Sequence, residues 1–312
     1  MIKFKEILFL KSLNGVGKSA IYTKHWDALK NANGIDSLKE AVALNDHKLS
    51  QDNIEEAAKK AELLFNEITD YYDINVITVF DKAYPEKLNV MGKKRPLVLY
   101  VKGDPGVLNN PSIAVVGTRN PSGWSISVEE KLIKKILEIS DRTIISGLAQ
   151  GCDYIAHDTT VKENKTTIAV LPSGVNVITP PAHKQLAASI IETGGCIVSE
   201  YEPDVLSFKP FFVERDAIVA ALSDVTLVVE CGTKSGTMYT VEASCSYQRP
   251  VACYYPDDLN KGSYDGNDFI VNYKNAVKIS NTNDLKKLLL SNPNLLDKSN
   301  SQESQEQLFL DL

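Results

Sequence analysis

Five apolar, β-branched runs, several of them cut short by small or hydroxyl residues, constrain this chain more than any other feature. Ile113 to Val116 stops at Gly117 and gives way to Thr118, Arg119, Asn120 and Ser122. Thr143 to Gly147 reads TIISG, Thr166 to Gly174 TTIAVLPSG, Gly195 to Glu200 GCIVSE and Val225 to Glu230 VTLVVE. Runs of this length and branching are those of strands buried on both faces of a parallel sheet. Helical stretches lie between them, so the expected class is α/β, with right-handed crossovers that bring the C-terminal strand ends together along one crevice.

That crevice has the chemistry of a phosphate surface. Gly117 lets the backbone turn tightly and present amides to an anion. Arg119 adds a planar fork suited to phosphate, and Thr118 and Ser122 add hydroxyls before a helix expected from near Ser125. Ser146-Gly147 and Gly174 close the second and third strands in the same way. After the fifth strand, Gly232-Thr233-Lys234-Ser235-Gly236-Thr237 opens another helix. Its amides, the Ser235 and Thr237 hydroxyls, and Lys234 would hold a second phosphate. Between the fourth and fifth strands, Arg215 is expected at a helix start, reaching across the crevice, with Phe212 and its neighbours free to stack on a base. The plainer alternatives are ordinary strand-to-helix turns, and phenylalanines that belong to the core.

The order AVVGTRNPS, ISGLAQGCDYIAH, TIAVLPSGV, GGCIVSEY, Phe212 to Arg215, VVE, SGT, RPV resembles the DprA/Smf family, over roughly residues 5–280. Tyr84 to Leu88, Pro96 to Gly103, Gly266 to Ile270 and Ala276-Val277 extend the likeness. The resemblance implies a Rossmann-like domain that binds single-stranded DNA, hands it to the RecA recombinase, dimerises, and is not an enzyme. It implies phosphate contacts from Arg119 and Arg215, assisted by Lys184 or Lys209, with amides from the Gly117, Gly147, Gly174 and Gly236 turns. The chain departs from the family pattern F-P-x-R-N-R, having Asp216 and Ala217 in its last two places, and has Gln150 and Asp158 where basic residues are common.

The organisation expected is a helical segment over residues 1–72, resembling a small SAM or helix-hairpin-helix unit, then a Rossmann-like domain over 73–290 with its core at 112–280. A disordered tail follows over 291–312. Within the first segment, Leu13 to Ala20 resembles a DNA-binding hairpin; the alternative is a plain turn between helices. Gly17-Lys18-Ser19 is not a P-loop, since Ser12 stands where the first glycine is required and no strand precedes it. Residues 51–70 have the pattern of an amphipathic helix. Strands at Asn75–Phe80 and Leu97–Lys102 are expected to extend the sheet at its edge.

The net charge of −6 counts against a generic polyanion binder, although a local basic patch suffices for DNA. No apolar run reaches the ~20 residues of a membrane span, and the first residues carry no cleavage signature. The five cysteines have no C-x-x-C spacing and sit in or beside apolar stretches, so buried, reduced thiols in a cytoplasmic protein are expected, with no metal site and no cofactor. Asp153 is expected to cap a helix and to meet His157 at i, i+4.

Two alternatives stand beside DNA binding. One is a nucleotide-sensing module of SLOG type in the same crevice, favoured by the acidic balance and missing arginines. The other is a nucleoside-monophosphate N-glycoside hydrolase, a related superfamily with G-G-x-G-T-x-x-E at this place. Here Glu242 falls two residues late. The chain ends in an apolar peptide on a polar tether. Its Gln307, Leu308, Leu310 and Leu312 resemble the peptide by which replication proteins dock on the sliding clamp; the alternative is a terminal element packed back on the domain.

Overall fold

The computed structural model describes residues 1–291. The terminal peptide and its Gln307, Leu308, Leu310 and Leu312 lie outside the described residues.

Helices α1 (Phe4–Ser12), α2 (Lys18–Ala20), α3 (Trp26–Asn31), α4 (Ile35–Asn45) and α5 (Gln51–Tyr71) come first. The amphipathic pattern of α5 is realised: Ile54, Ala57, Ala61 and Ile68 are buried, and the Ser50 hydroxyl caps it by accepting from the Asn53 amide. The apolar faces of these helices share one cluster with Leu97, just before the sheet, and with Val98, Tyr100 and Ile197 in it.

The sheet has nine strands: β1 (Asn75–Thr78), β2 (Val98–Gly103), β3 (Ser112–Val116), β4 (Thr143–Ser146), β5 (Thr167–Val170), β6 (Cys196–Ser199), β7 (Val225–Val228), β8 (Val251–Tyr254) and β9 (Val277–Ile279). Their spatial order is β1-β2-β6-β5-β4-β3-β7-β8-β9. The seven strands from β3 onward pair in parallel; β1 and β2 form an antiparallel edge, with β2 bonded to β6. The expected edge position of the first two strands is therefore found, and β8 and β9 widen the sheet on the other side.

The connecting helices are α6 (Gly123–Ile139), α7 (Cys152–Lys162), α8 (Lys184–Glu192), α9 (Lys209–Leu222), α10 (Thr237–Ser246), α11 (Asp265–Lys274) and α12 (Thr282–Ser291). They cover both faces, which is why β3 is apolar at successive positions. Ile113 and Val115 pack with Val128, Leu132 and Ile136 of α6, whereas Ala114 and Val116 pack with Ile218 and Leu222 of α9. The Rossmann-like doubly wound arrangement is thus the observed fold. From β3 the chain runs outward through β4, β5 and β6, then returns to place β7 on the other side of β3. The strand order reverses between β3 and β7, and at such a switch point the two loops leave in opposite directions and open a crevice.

Candidate functional site

A crevice of about 1100 Å³ opens at this switch point. The β3–α6 loop contributes Gly117, Thr118 and Arg119; the β7–α10 loop contributes Gly232 to Gly236, and Thr237 begins the helix beyond; the β4–α7 turn contributes Gly147 and Ala149. The N-terminal half of α9 forms a wall with Lys209, Phe212, Val213, Arg215 and Asp216. Of the residues expected from the sequence, Gly117, Thr118, Arg119, Gly147, Lys209, Phe212, Arg215, Lys234, Ser235, Gly236 and Thr237 line this one space.

The loops are shaped by bonds that the sequence does not announce. The Thr118 amide donates to the Glu230 carbonyl at 2.7 Å. The Glu230 carboxylate ties three segments: Oε2 accepts from the Ser122 amide at 2.9 Å and hydroxyl at 3.1 Å, and Oε1 accepts from the Ser263 amide at 2.7 Å. The Ser122 hydroxyl also caps α6 by accepting from Ser125 N–H at 3.1 Å. Ser122 is therefore held beside the crevice, with its polar groups already engaged. Asp265 accepts from the Thr233 amide and hydroxyl, and these bonds hold its carboxyl below the usual range. Gly117 packs directly on the Cys152 sulfur, so a Cβ there would overlap Sγ. Ser263 and Asp265 also line the crevice and were not expected, because only the topology brings the start of α11 back to β7; Tyr239, in the first turn of α10, lines it too.

Arg215 differs from its sequence expectation. Helix α9 begins at Lys209, with Pro210 in its first turn, where the missing amide costs no helical bond. Arg215 consequently lies in the second turn, in the buried part of the crevice wall, and is 5% exposed. Its Nη1 donates to the carbonyls of Gly147 and, at 3.2 Å, Val170; its Nε donates to Asp216 Oδ1 at 2.9 Å. Asp153 Oδ2 stands 3.9 Å from Nη1. The guanidinium is a buried strut, and its charge is answered by two carboxylates.

Asp153 likewise corrects its reading. It accepts from the amides of Gly147 at 3.1 Å and Ala149 at 3.3 Å in the preceding turn, rather than capping α7 or meeting His157. His157 is wholly buried, bonds Thr167 Oγ1 through Nδ1 at 2.8 Å, and is pushed down to about 3 by that burial and by Arg215. It is a neutral core residue. The Gly147 amide is thus spent on Asp153, and the Gly174 amide on the Val205 carbonyl at 2.8 Å. Gly174 is buried against the backbone of Glu202 and Pro203, outside the crevice. Ser146 is buried and donates to the Val115 carbonyl at 2.7 Å; Lys184 is exposed at the start of α8 and does not line the crevice. Of the five cysteines Cys245 is exposed, not buried; all five are free thiols.

The cations left to face solvent are Arg119, Lys209 and Lys234, and among the described residues none of them ion-pairs. Arg119 stacks over the Phe212 ring, 5.4 Å from its centroid. Against them stand Asp153, Asp216 and Asp265. Burial pushes the Asp216 carboxyl up to about 6, against the pull of Arg215. Exposed apolar side chains on α9 and α10, Val213 and Tyr239, also line the crevice. Cations, hydroxyls and helix starts beside aromatic rings are the parts of a surface that tracks a single-stranded backbone and stacks its bases. Glu242 is exposed on α10 and does not line the crevice. Among the described residues no cluster of His, Cys, Asp and Glu is placed to hold a metal ion, and no helix is long and apolar enough to cross a membrane.

Residues 75–289 match the family of DNA recombination-mediator protein A. Protein Smf of Escherichia coli is 36% identical over 177 residues, 57% of this chain and 47% of that protein, so the chain spans about half of that relative's length. The crystal structure of DNA processing protein A from Streptococcus pneumoniae superposes with a TM-score of 0.75 over 92% of this chain and 97% of that one, at 24% identity, and shares the fold. DNA processing protein A from Helicobacter pylori, whose structure concerns its mode of binding single-stranded DNA, superposes with a TM-score of 0.62 at 28% identity, over 71% of this chain and 97% of that one.

Proposed function

Since the chain belongs to the family of DNA recombination-mediator protein A, we propose that it binds single-stranded DNA in the crevice between β3 and β7. It would hand that strand to the RecA recombinase in DNA processing, natural transformation and recombination. The observation that carries the reading is the convergence of Arg119, Lys209 and Lys234 on one crevice whose wall offers Phe212 for stacking. Arg119, Lys209 and Lys234 would contact phosphates, with Gly117, Thr118, Ser235, Gly236 and Thr237 supplying amides and hydroxyls. Arg215 would act from beneath, fixing the Gly147 turn. The protein would work in the cytoplasm as a homodimer, without a cofactor and without catalysing a reaction. Its terminal peptide would offer Gln307, Leu308, Leu310 and Leu312 to the sliding clamp.

The test is fluorescence anisotropy with a labelled oligothymidine and its matching duplex, over a salt series. Salt-sensitive affinity for the single strand, with little for the duplex, is the expected result. Each phosphate neutralised adds about 0.7 to the log–log slope. No binding at low salt would end the reading.

A second reading, a sensor of a free nucleotide, is favoured by one observation: Asp153, Asp216 and Asp265 share the crevice with the three cations. A small crevice charge suits one or two phosphates better than a long strand. A nucleotide that raises the melting temperature of a protein with no DNA affinity would support it.

A further inference from the structure

The first turn of α9 brings Lys209 and Phe212 to the crevice, yet it stands at the surface: Phe208, Lys209 and Pro210 are exposed and Phe211 is half-buried. A phosphate contact and a stacking ring work only if their backbone is held to within about 0.5 Å. Arg215 fixes the second turn from inside, through the carbonyls of Gly147 and Val170. From outside, the helix leans on Tyr201. The Tyr201 ring stacks on Phe211 with centroids 3.9 Å apart, and its hydroxyl donates to Glu214 Oε2 at 2.6 Å. Positions 211 and 214 are neighbours on one helix face, and Phe212, next to the stacked ring, lines the crevice.

Tyr201 is held in turn by the helical segment. It lies in the loop after β6, between two glutamates that each meet a lysine of that segment. Lys18, the first residue of α2, places Nζ 2.6 Å from Glu200 Oε2, and Lys11, in the last turn of α1, pairs with Glu202. Farther along the same loop, Asp204 accepts from the hydroxyl of Tyr72, just after α5. Three separate stretches of the helical segment thus converge on residues 200–204. The Glu200 side chain is 8% exposed, so its charge depends on Lys18. Removing one partner of a buried pair leaves an uncompensated charge, and the loop would move to return it to water.

We propose that the helical segment is a positioning device for the crevice: Lys11 and Lys18 hold the loop, Tyr201 passes that hold to α9, and together they set single-stranded-DNA affinity without touching the strand. The proposal rests on the single-stranded-DNA reading above and adds to it the control of one crevice wall. It opposes simple electrostatics in sign. Removing the negative charge of Glu200 should favour a polyanion if charge alone counted. A positioning role requires the reverse, because the loop loses its tie to Lys18.

The experiment measures oligothymidine affinity of the full chain by anisotropy, well below the melting temperature of each variant. Tyr201→Leu should weaken binding by about tenfold, the scale of losing one base stack. Tyr201→Phe keeps the ring stack and loses the bond to Glu214; it should weaken binding by about threefold and carries the test if Tyr201→Leu does not fold. Glu200→Gln and Lys18→Met should each weaken binding, and Lys18→Arg should retain it. In the Glu200→Gln background Lys18→Met should add little, since the two act through one tie. Tighter binding by Glu200→Gln, or an equal cost of Lys18→Met in both backgrounds, would make the lysine a charge acting on the strand and overturn the positioning role. Unchanged affinity in the Tyr201 variants overturns it too, even where the melting temperature falls, because a merely structural role moves only the latter. Wild type that binds no oligothymidine overturns the DNA reading along with it.

Discussion

The guanidinium of Arg215 fills the space in which residue 147 would carry a side chain: a Cβ built on Gly147 overlaps Nη1 and Cζ of Arg215. The same guanidinium donates to the Gly147 carbonyl, and Asp153 accepts from the Gly147 amide. Gly147→Ala should therefore expel the strut from its seat and lower stability by roughly 1–3 kcal/mol, the usual cost of overpacking a buried site. Urea denaturation measures this. An unchanged midpoint would show that the Arg215 network yields freely.

Arg119 is exposed and stacks on the Phe212 ring. Arg119→Ala should leave the melting temperature nearly unchanged while weakening oligothymidine binding across sequences. The log–log salt slope should fall by about 0.7, one phosphate contact on a single strand. An unaltered slope removes Arg119 from the interface.

Phe212 is half-buried and turned to the crevice beneath Arg119. Phe212→Ala should cost about 1–3 kcal/mol of binding, the range for one base–aromatic stack, with the salt slope unchanged. The slope separates this residue from Arg119: a change in slope for Phe212→Ala would mean that it acts through the cation and not through a base.

Asp216 carries a pH signature. Its carboxyl is pushed up to about 6, so its negative charge appears in the crevice as pH rises through that value. Single-stranded-DNA affinity should decline across that interval and the decline should vanish in Asp216→Asn. Near pH 7 the variant should bind roughly fivefold more tightly, the repulsion of about 1 kcal/mol between charges 4 Å apart in water. Stability follows the same sign. The folded carboxyl holds its proton more tightly than in the unfolded chain, so its contribution is full below about pH 4 and is lost as pH rises through about 6. Identical pH profiles for the two proteins would refute this assignment.

Glu242 is exposed and stands outside the crevice. Incubation with nucleoside monophosphates should release no free base, by chromatography, from wild type or Glu242→Gln alike. Release that disappears in the variant would restore the hydrolase reading.

The sheet and its switch point were legible because strands covered on both faces are written as unbroken β-branched runs, and several of the runs here end at a glycine or a hydroxyl. The crevice residues next to those runs, from Gly117 to Arg119 and from Lys234 to Thr237, were found for the same reason. What stayed hidden were roles set by distant partners. Arg215 looks like any helical arginine; that it bonds two carbonyls, at positions 147 and 170, depends on the crossing of α9 under β4 and β5. Asp153 and His157 have the right spacing for each other, yet each finds a better partner off the helix, in Gly147 and Thr167. Glu230 closes a strand like many others, but joins Ser122 to Ser263. The Lys18–Glu200 pair joins positions 182 residues apart, and no local pattern records it.

The antiparallel partner of β2 on the inner side is β6, with Gly103 opposite Cys196. On a ribosome, β2 emerges on the order of a hundred residues before the strand that completes its hydrogen bonds. At roughly 5–20 residues per second that is a wait of about 5–20 s, during which one backbone edge and the apolar face of the first helices have no lasting cover. The helical segment can complete its packing only once β6 is made: synthesis of the fourth parallel strand supplies the last hydrogen-bonding partner of β2 and adds Ile197 to the cluster the first helices share.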